Sequence, residues 1–327
     1  IDGMVGPETF SKLLLGKAAY TTTASPTSDS NPPMQSNPLS GIWQQIGLVN
    51  LEGGEFKDTV FWSTERLARP KVKFIGKGVG NKINGLWFRS PRRKDSTDSS
   101  TSSDGKYFYN EFYLVTKIQT KKDSFFSFPS NFYHDIGRKN KRYIEFLETN
   151  QKEGYKSKFL IDGDHYSQYR INDDGTGKGE LWRRLDHVGE NPTLLTGVFE
   201  RFSRVYYNAD GTIRDSVSVG STDESHNFFM FGDKMMARVA NAKFLDDNGI
   251  DQQQGQALLV NYNINNDSLF ENIVFGTRRF QDPNNMPYSW TGSKRSQAFS
   301  IDQKYFTLTS TSASRGTKNV QYFKKIE

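Results

Sequence analysis

The 327-residue chain contains no cysteine. That excludes a disulfide framework, a thiolate metal site and a cysteine nucleophile together. No apolar run approaches the ~18 residues of a helical membrane span, and the first residues carry no charged and apolar leader pattern. Histidine is scarce: His134, His165, His187 and His226 are the only four. None forms an HxxxH or HxH pair, so the spacing of a zinc hydrolase is missing. G-x-S-x-G, the elbow of serine hydrolases, is absent as well. Excess charge is small, since 43 basic and 37 acidic residues leave +6. Lys and Arg are interspersed with Asp and Glu, unlike the concentrated basic face of a nucleic-acid binder.

Hydrophobic residues are few, at 35%, yet they include 25 Phe, 15 Tyr and 5 Trp. Few but large apolar side chains fit strands with alternating faces better than helical cores built on Leu and Ala.

The chain repeats itself. Residues 175–186, GTGKGELWRRLD, align without a gap on 316–327, GTKNVQYFKKIE. Trp182 then falls on Phe323, Arg183 and Arg184 on Lys324 and Lys325, and Leu185 on Ile326. Units that end alike should begin alike, and Gly41-Ile42-Trp43 and Gly197-Val198-Phe199 supply the shared start. Between them, Lys73-Phe74-Ile75-Gly76 echoes Phe229-Met230-Phe231-Gly232 at the same offset of 156. Phe159-Leu160-Ile161-Asp162 echoes Phe299-Ser300-Ile301-Asp302 at an offset of 140. The chain is therefore read as a tandem duplication whose second copy is shorter by about one long loop. The polar stretch 91–105, PRRKDSTDSSTSSDG, accounts for that loop and is expected to be mobile and exposed.

Short aromatic-rich segments separated by Gly, Asp, Asn and Ser clusters predict antiparallel strands. In the first copy these are 43–49, 59–62, 72–75, 86–88, 107–118, 143–147, 158–161, 166–171 and 181–185. In the second they are 199–207, 216–219, 228–231, 235–239, 257–264, 269–275, 298–301, 305–309 and 320–325. The expected fold class is all-β, with two consecutive antiparallel barrels over 39–190 and 191–327.

Residues 1–15 read differently. Asp2, Gly3, Gly6, Pro7 and Thr9 form a D-G-x-V-G-P-x-T turn, followed by a helical face of Phe10, Leu13 and Leu14. This resembles the closing segment of the small peptidoglycan-binding module attached to many bacterial cell-wall enzymes. The resemblance implies a module ending over 1–17 and peptidoglycan as a partner. The alternative is an ordinary loop and helix packed on the first repeat. Residues 18–38 are rich in Thr and Ser and hold four prolines, the composition of an extended linker.

A Gly-x-Trp on the first strand and a basic residue on the last resemble the lipocalin-type barrel. There the Trp closes the floor and a cation packs across its ring. The resemblance covers 39–327 and points to tandem envelope proteins of the kind found in Bacteroidota. It implies that Trp43 pairs with Arg183 or Arg184, and Phe199 with Lys324 or Lys325. The alternative is that Trp43 and Trp182 are plain core aromatics.

Catalytic residues, metal ligands and cofactor-binding residues are not expected. Glu111, Glu145, Glu148 and Glu180 sit on predicted strands, and two facing one cavity would suit a glycosidase; the polar face of a half-exposed strand is normally solvated, which is the ordinary reading of them. Asn172-Asp173-Asp174-Gly175 and 246–251 lack the spacing of a calcium loop and read as turns. Three functions follow. The first is a non-catalytic, wall-tethered envelope or periplasmic protein holding a small apolar or amphipathic ligand. The second is a scaffold of an envelope or secretion assembly with filled barrels. The third is a glycan-acting enzyme.

Overall fold

The fold is taken from a computed structural model that describes residues 37–67, 71–78, 83–89, 92–93, 107–108, 112–134, 149–150, 152–218, 226–245, 251–279, 288–289, 292–302, 305–312 and 314–326. The expected N-terminal helix, nearly all of the linker, the strand at 143–147 and most of the 91–105 loop lie outside these residues.

The first copy runs β1 (Gly41–Glu52), β2 (Glu55–Phe61), a one-turn helix α1 (Thr64–Leu67), β3 (Lys71–Ile75), β4 (Ile83–Arg89), β5 (Arg92–Arg93), β6 (Tyr107–Phe108), β7 (Phe112–Lys121), β8 (Ser124–His134), β9 (Tyr155–Asp162), β10 (His165–Ile171) and β11 (Gly177–Asp186). Strands β1, β3, β4, β7, β8, β9, β10 and β11 follow one another as an antiparallel meander, and β11 pairs back onto β1. Eight strands therefore close a barrel, which leaves no free edge within that circuit.

The second copy repeats the plan. Its strands are β12 (Gly197–Tyr207), β13 (Ile213–Ser218), β14 (His226–Phe231), β15 (Met235–Leu245), β16 (Asp251–Asn265), β17 (Ser268–Arg279), β18 (Tyr288–Ser289), β19 (Lys294–Ile301), β20 (Tyr305–Ser312) and β21 (Thr317–Lys325). Strands β12, β14, β15, β16, β17, β19, β20 and β21 form the circuit, closed by β21 on β12. β13 lies beside the far half of β12, as β2 lies beside β1.

The register carries the equivalence down to single residues. Trp43 faces Lys73 on β3 and Arg184 on β11, while Phe199 faces Phe229 on β14 and Lys325 on β21. Both closing ladders slip at the same place, around Ile46 in β1 and Phe202 in β12. An extra residue there bends the strand. Its first half joins β3 or β14, and its second half joins β2 or β13.

Asn172-Asp173-Asp174-Gly175-Thr176 builds the β10–β11 turn. Asp174 accepts from the Thr176 amide at 2.9 Å, and Gly175 takes φ +79°. Asn208 to Thr212 repeats this at the β12–β13 turn, with Gly211 at +83° and Asp210 accepting from Thr212 at 2.9 Å. These left-handed positions suit glycine, and the carboxylates are occupied with turn bonds.

The barrels also pack on each other. Ile42, Val72 and Phe74 of the first share one buried cluster with Val198, Phe228 and Met230 of the second, and Val188 of the connection joins them. Polar clasps flank the cluster. The Asp186 carboxylate accepts from the amides of Lys234 and Met235 at 2.8 and 2.7 Å. The Asp233 carboxylate accepts from the amides of Gly189, Glu190 and Asn191 at 2.7 to 3.0 Å. Burial, the largest influence, raises the Asp186 carboxyl above its ordinary range against the pull of those amides.

Candidate functional site

Each barrel has one end sealed by an aromatic ring under a cation. Because strand neighbours alternate between faces, only one member of each basic pair can reach the ring. Arg184 sits opposite Trp43, and Arg183 sits opposite Gln44. The Arg184 guanidinium accordingly lies 4.1 Å from the Trp43 ring centre. It donates to the Ser40 and Pro38 carbonyls and pairs with Asp164 at 3.1 Å. Trp43 is fully buried and donates its indole N–H to the Leu39 carbonyl at 2.8 Å. Arg183 is exposed and reaches Gln44 at 3.3 Å. In the second barrel the Lys325 ammonium stands 5.6 Å from the Phe199 ring, while Lys324 points to Glu200 at 3.7 Å. Asp2, Gly3, Gly6, Pro7 and Thr9 lie outside the described residues.

Above the first floor is a buried lysine. Lys73 is 1% exposed, with its ammonium 4.0 Å from the Trp182 ring, 5.2 Å from Tyr166 and 5.8 Å from Phe125. It donates to Gln168 Oε1 at 2.6 Å, and Gln168 donates in turn to Ser157 Oγ at 2.8 Å. Burial pushes the Lys73 amine well below its ordinary value; Glu180 acts against this and Lys71 adds to it. Glu180 itself pairs with Lys71, so the strand carboxylate considered for glycan chemistry has a cation partner. Glu111, Glu145 and Glu148 lie outside the described residues.

The second barrel moves its cations to other strands. Phe229 takes the position of Lys73, and Arg238, opposite it on β15, lies 4.5 Å over the Phe229 ring. Below Arg238 the rings of Phe199, Phe229, Phe231, Phe306 and Phe323 pack against one another at 4.5 to 5.9 Å. At the level of Arg238 stand Arg201, which is 9% exposed, and Asn227, which accepts from Arg238 Nε at 3.3 Å. Glu271, whose side chain is fully buried, pairs with Arg295. Burial first, then Arg295, holds Arg238 down to about 9, with Glu271 acting the other way and Arg201 and Arg204 adding to the fall.

These interior cations were invisible to pattern reading, because basic residues alternating with apolar ones look like a solvated face. The signal available was Lys73 inside the apolar run 72–75, where both strand faces are covered. Among the described residues no group of three His, Asp or Glu side chains is placed to hold a metal ion. The interiors present apolar surface, aromatic ring faces and nitrogen donors. No protein-family model matches the chain, and no curated protein matches it.

Proposed function

We propose that the chain is a non-catalytic binding protein of a bacterial cell envelope. In this reading its two lipocalin-like barrels hold small apolar or amphipathic ligands, and the segment before them tethers it to peptidoglycan. The observation that carries the ligand-binding part is the grading of each interior, from a ring sealed under a cation to a layer of buried polar and cationic groups. Eight-stranded barrels are of the size that either fills with side chains or holds one small ligand. Buried cations left facing such an interior favour the second outcome, since a barrel filled only for stability is better filled by apolar groups.

The test uses the neutral fluorescent probe N-phenyl-1-naphthylamine with the 327-residue chain. Saturable binding, reversed by dodecanol or dodecanoate, is the expected result. The mutual packing of five phenylalanine rings favours the second reading, a scaffold with a filled barrel. Absence of saturable uptake would select it. For the tether, residues 39–327 alone should fail to sediment with isolated sacculi, whereas the natural full-length protein should. Equal sedimentation of both would move wall recognition to the barrels.

A further inference from the structure

We infer that the outer face of the second barrel over β16, β17 and β19 is a glycan-binding groove, in which a neutral polysaccharide lays the apolar face of a sugar ring on Phe270. The site lies outside the barrel and does not depend on what either interior holds.

The three strands set out a small grid. Asn261 of β16 faces Asn272 of β17, which faces Lys294 of β19; two residues along, Asn263 faces Phe270, which faces Ser296. All six are exposed, while Glu271 in the row between them is buried and paired with Arg295, so strand alternation turns the six side chains outward. They line a groove of about 500 Å³. Phe270 is 43% exposed, and none of the five polar side chains beside it has a hydrogen-bond or ion-pair partner among the described residues. A carboxamide both donates and accepts, as a sugar hydroxyl does. A sugar ring carries C–H groups on its face and hydroxyls at its edge, and here an aromatic face is bordered by three carboxamides, a hydroxyl and an ammonium. One ammonium makes no field for a polyanion, and one ring among polar groups makes no apolar centre for a protein interface.

The first copy shows the same face closed. The turns from Lys121 to Ser124 and from Asn265 to Ser268 correspond, with Lys122 at φ +55° and Asn266 at +50°. The amides of Phe159 and Phe299 donate at 2.8 Å to the carbonyls of Asp123 and Asp267 in those turns. Phe126 is therefore the counterpart of Phe270, Phe128 of Asn272 and Lys156 of Ser296. Phe126 is half-buried, with the Lys156 ammonium 5.8 Å from its ring centre. Phe128 packs on Gly154 so closely that a Cβ there would meet its ring at 2.7 Å, and Gly154 stands where the second copy has Lys294. The second copy thus has a carboxamide in place of the filling ring and a serine in place of the covering lysine. The result is a ring face reachable from solvent between hydrogen-bonding groups.

Affinity electrophoresis of the 327-residue chain through gels holding β-glucan, mannan, xylan, galactan or dextran tests this, followed by calorimetry with the hexaose of the polymer that retards it. At least one polymer should retard the chain, and its hexaose should bind saturably at one site. Phe270→Ala should weaken that binding at least about tenfold, the order lost with an aromatic contact and its buried area. Asn272→Phe, which restores the ring that fills this place in the first copy, should weaken it as much and covers the case where one variant folds poorly. Phe126→Ala should leave binding within about twofold, as expected of a distant site. Dodecanol, directed at the interiors, should not displace the hexaose. If none of the polymers retards the chain, this inference falls and the ligand-binding reading stands. Binding that persists undiminished in Phe270→Ala and Asn272→Phe, that is lost in Phe126→Ala, or that dodecanol displaces, places the glycan elsewhere and overturns the inference.

Discussion

Replacing Phe74 by alanine probes whether the two barrels unfold as one body. Phe74 is fully buried and belongs to the cluster that draws on β1 and β3 of the first barrel and β12, β14, β15, β16 and β17 of the second. Phe→Ala in a packed core costs roughly 3–5 kcal/mol, the transfer of the ring plus the cavity it leaves. For a chain of this length about 2 °C of melting temperature is lost per kcal/mol, so the fall should be roughly 6–10 °C. The assay follows tryptophan emission and far-ultraviolet dichroism on the same samples. Trp43, Trp62, Trp87 and Trp182 all belong to the first copy, so emission is weighted toward that barrel while dichroism counts both. Coincident curves in the parent protein, and coincident curves displaced together in Phe74→Ala, mark a single cooperative unit. Leu194→Ala serves as control, since Leu194 is 70% exposed and its loss should stay within about 0.5 kcal/mol. A shift below about 2 °C, or a dichroism component that keeps its midpoint while emission moves, would refute the coupling.

Three further outcomes are expected. Arg184→Met removes the cation over Trp43 and the donors to Ser40 and Pro38, and should cost about 2–4 kcal/mol in urea unfolding; less than about 1 kcal/mol would mean the seal is ornamental to stability. Lys73 has a folded value well below its unfolded 10.5, so the native chain holds fewer protons between the two and stability rises with pH across that window. Lys73→Met should remove this part of the slope on the alkaline side below 10.5, and unchanged slopes in parent and variant would contradict the burial of this amine. Gly179→Ala would set its Cβ 2.6 Å from Tyr169 Cβ and 2.7 Å from the Gln168 carbonyl. It should lower stability by about 1–3 kcal/mol, and a neutral result would show that β10 can retreat from β11.

The duplication could be read from residues, and it narrowed each floor ring to two adjacent basic candidates; only the register separates Arg184 from Arg183 and Lys325 from Lys324. Trp43, Arg184, Phe199 and Lys325 sit at strand ends that recur at fixed offsets. Strand β8 was not legible, because Pro129 breaks up SFFSFPSNFYH. In the structure the ladder slips opposite Pro129, between Val115 and Thr116, so the proline sits at an irregularity where a lost donor is tolerated. The contact between the barrels went unread for another reason. Apolar residues on the outer side of a barrel strand, such as Ile42 and Phe74, look like ordinary strand hydrophobics until a second surface is known. Continuous runs such as Phe228-Phe229-Met230-Phe231 were the available cue, since strands covered on both faces lose their alternation. The arginine layer of the second barrel had no cue in one sequence, because Arg201, Arg238 and Arg295 come from three strands far apart in the chain.

The seam between the barrels draws on the same positions twice. Ile42 and Val198, Val72 and Phe228, and Phe74 and Met230 are corresponding positions of the two copies, and all six belong to one cluster. The short connection from β11 to β12 holds these faces at a high effective concentration, so the contact does not depend on how much protein is made. A contact made within one chain also places no demand that the two copies be identical, and their interiors differ accordingly.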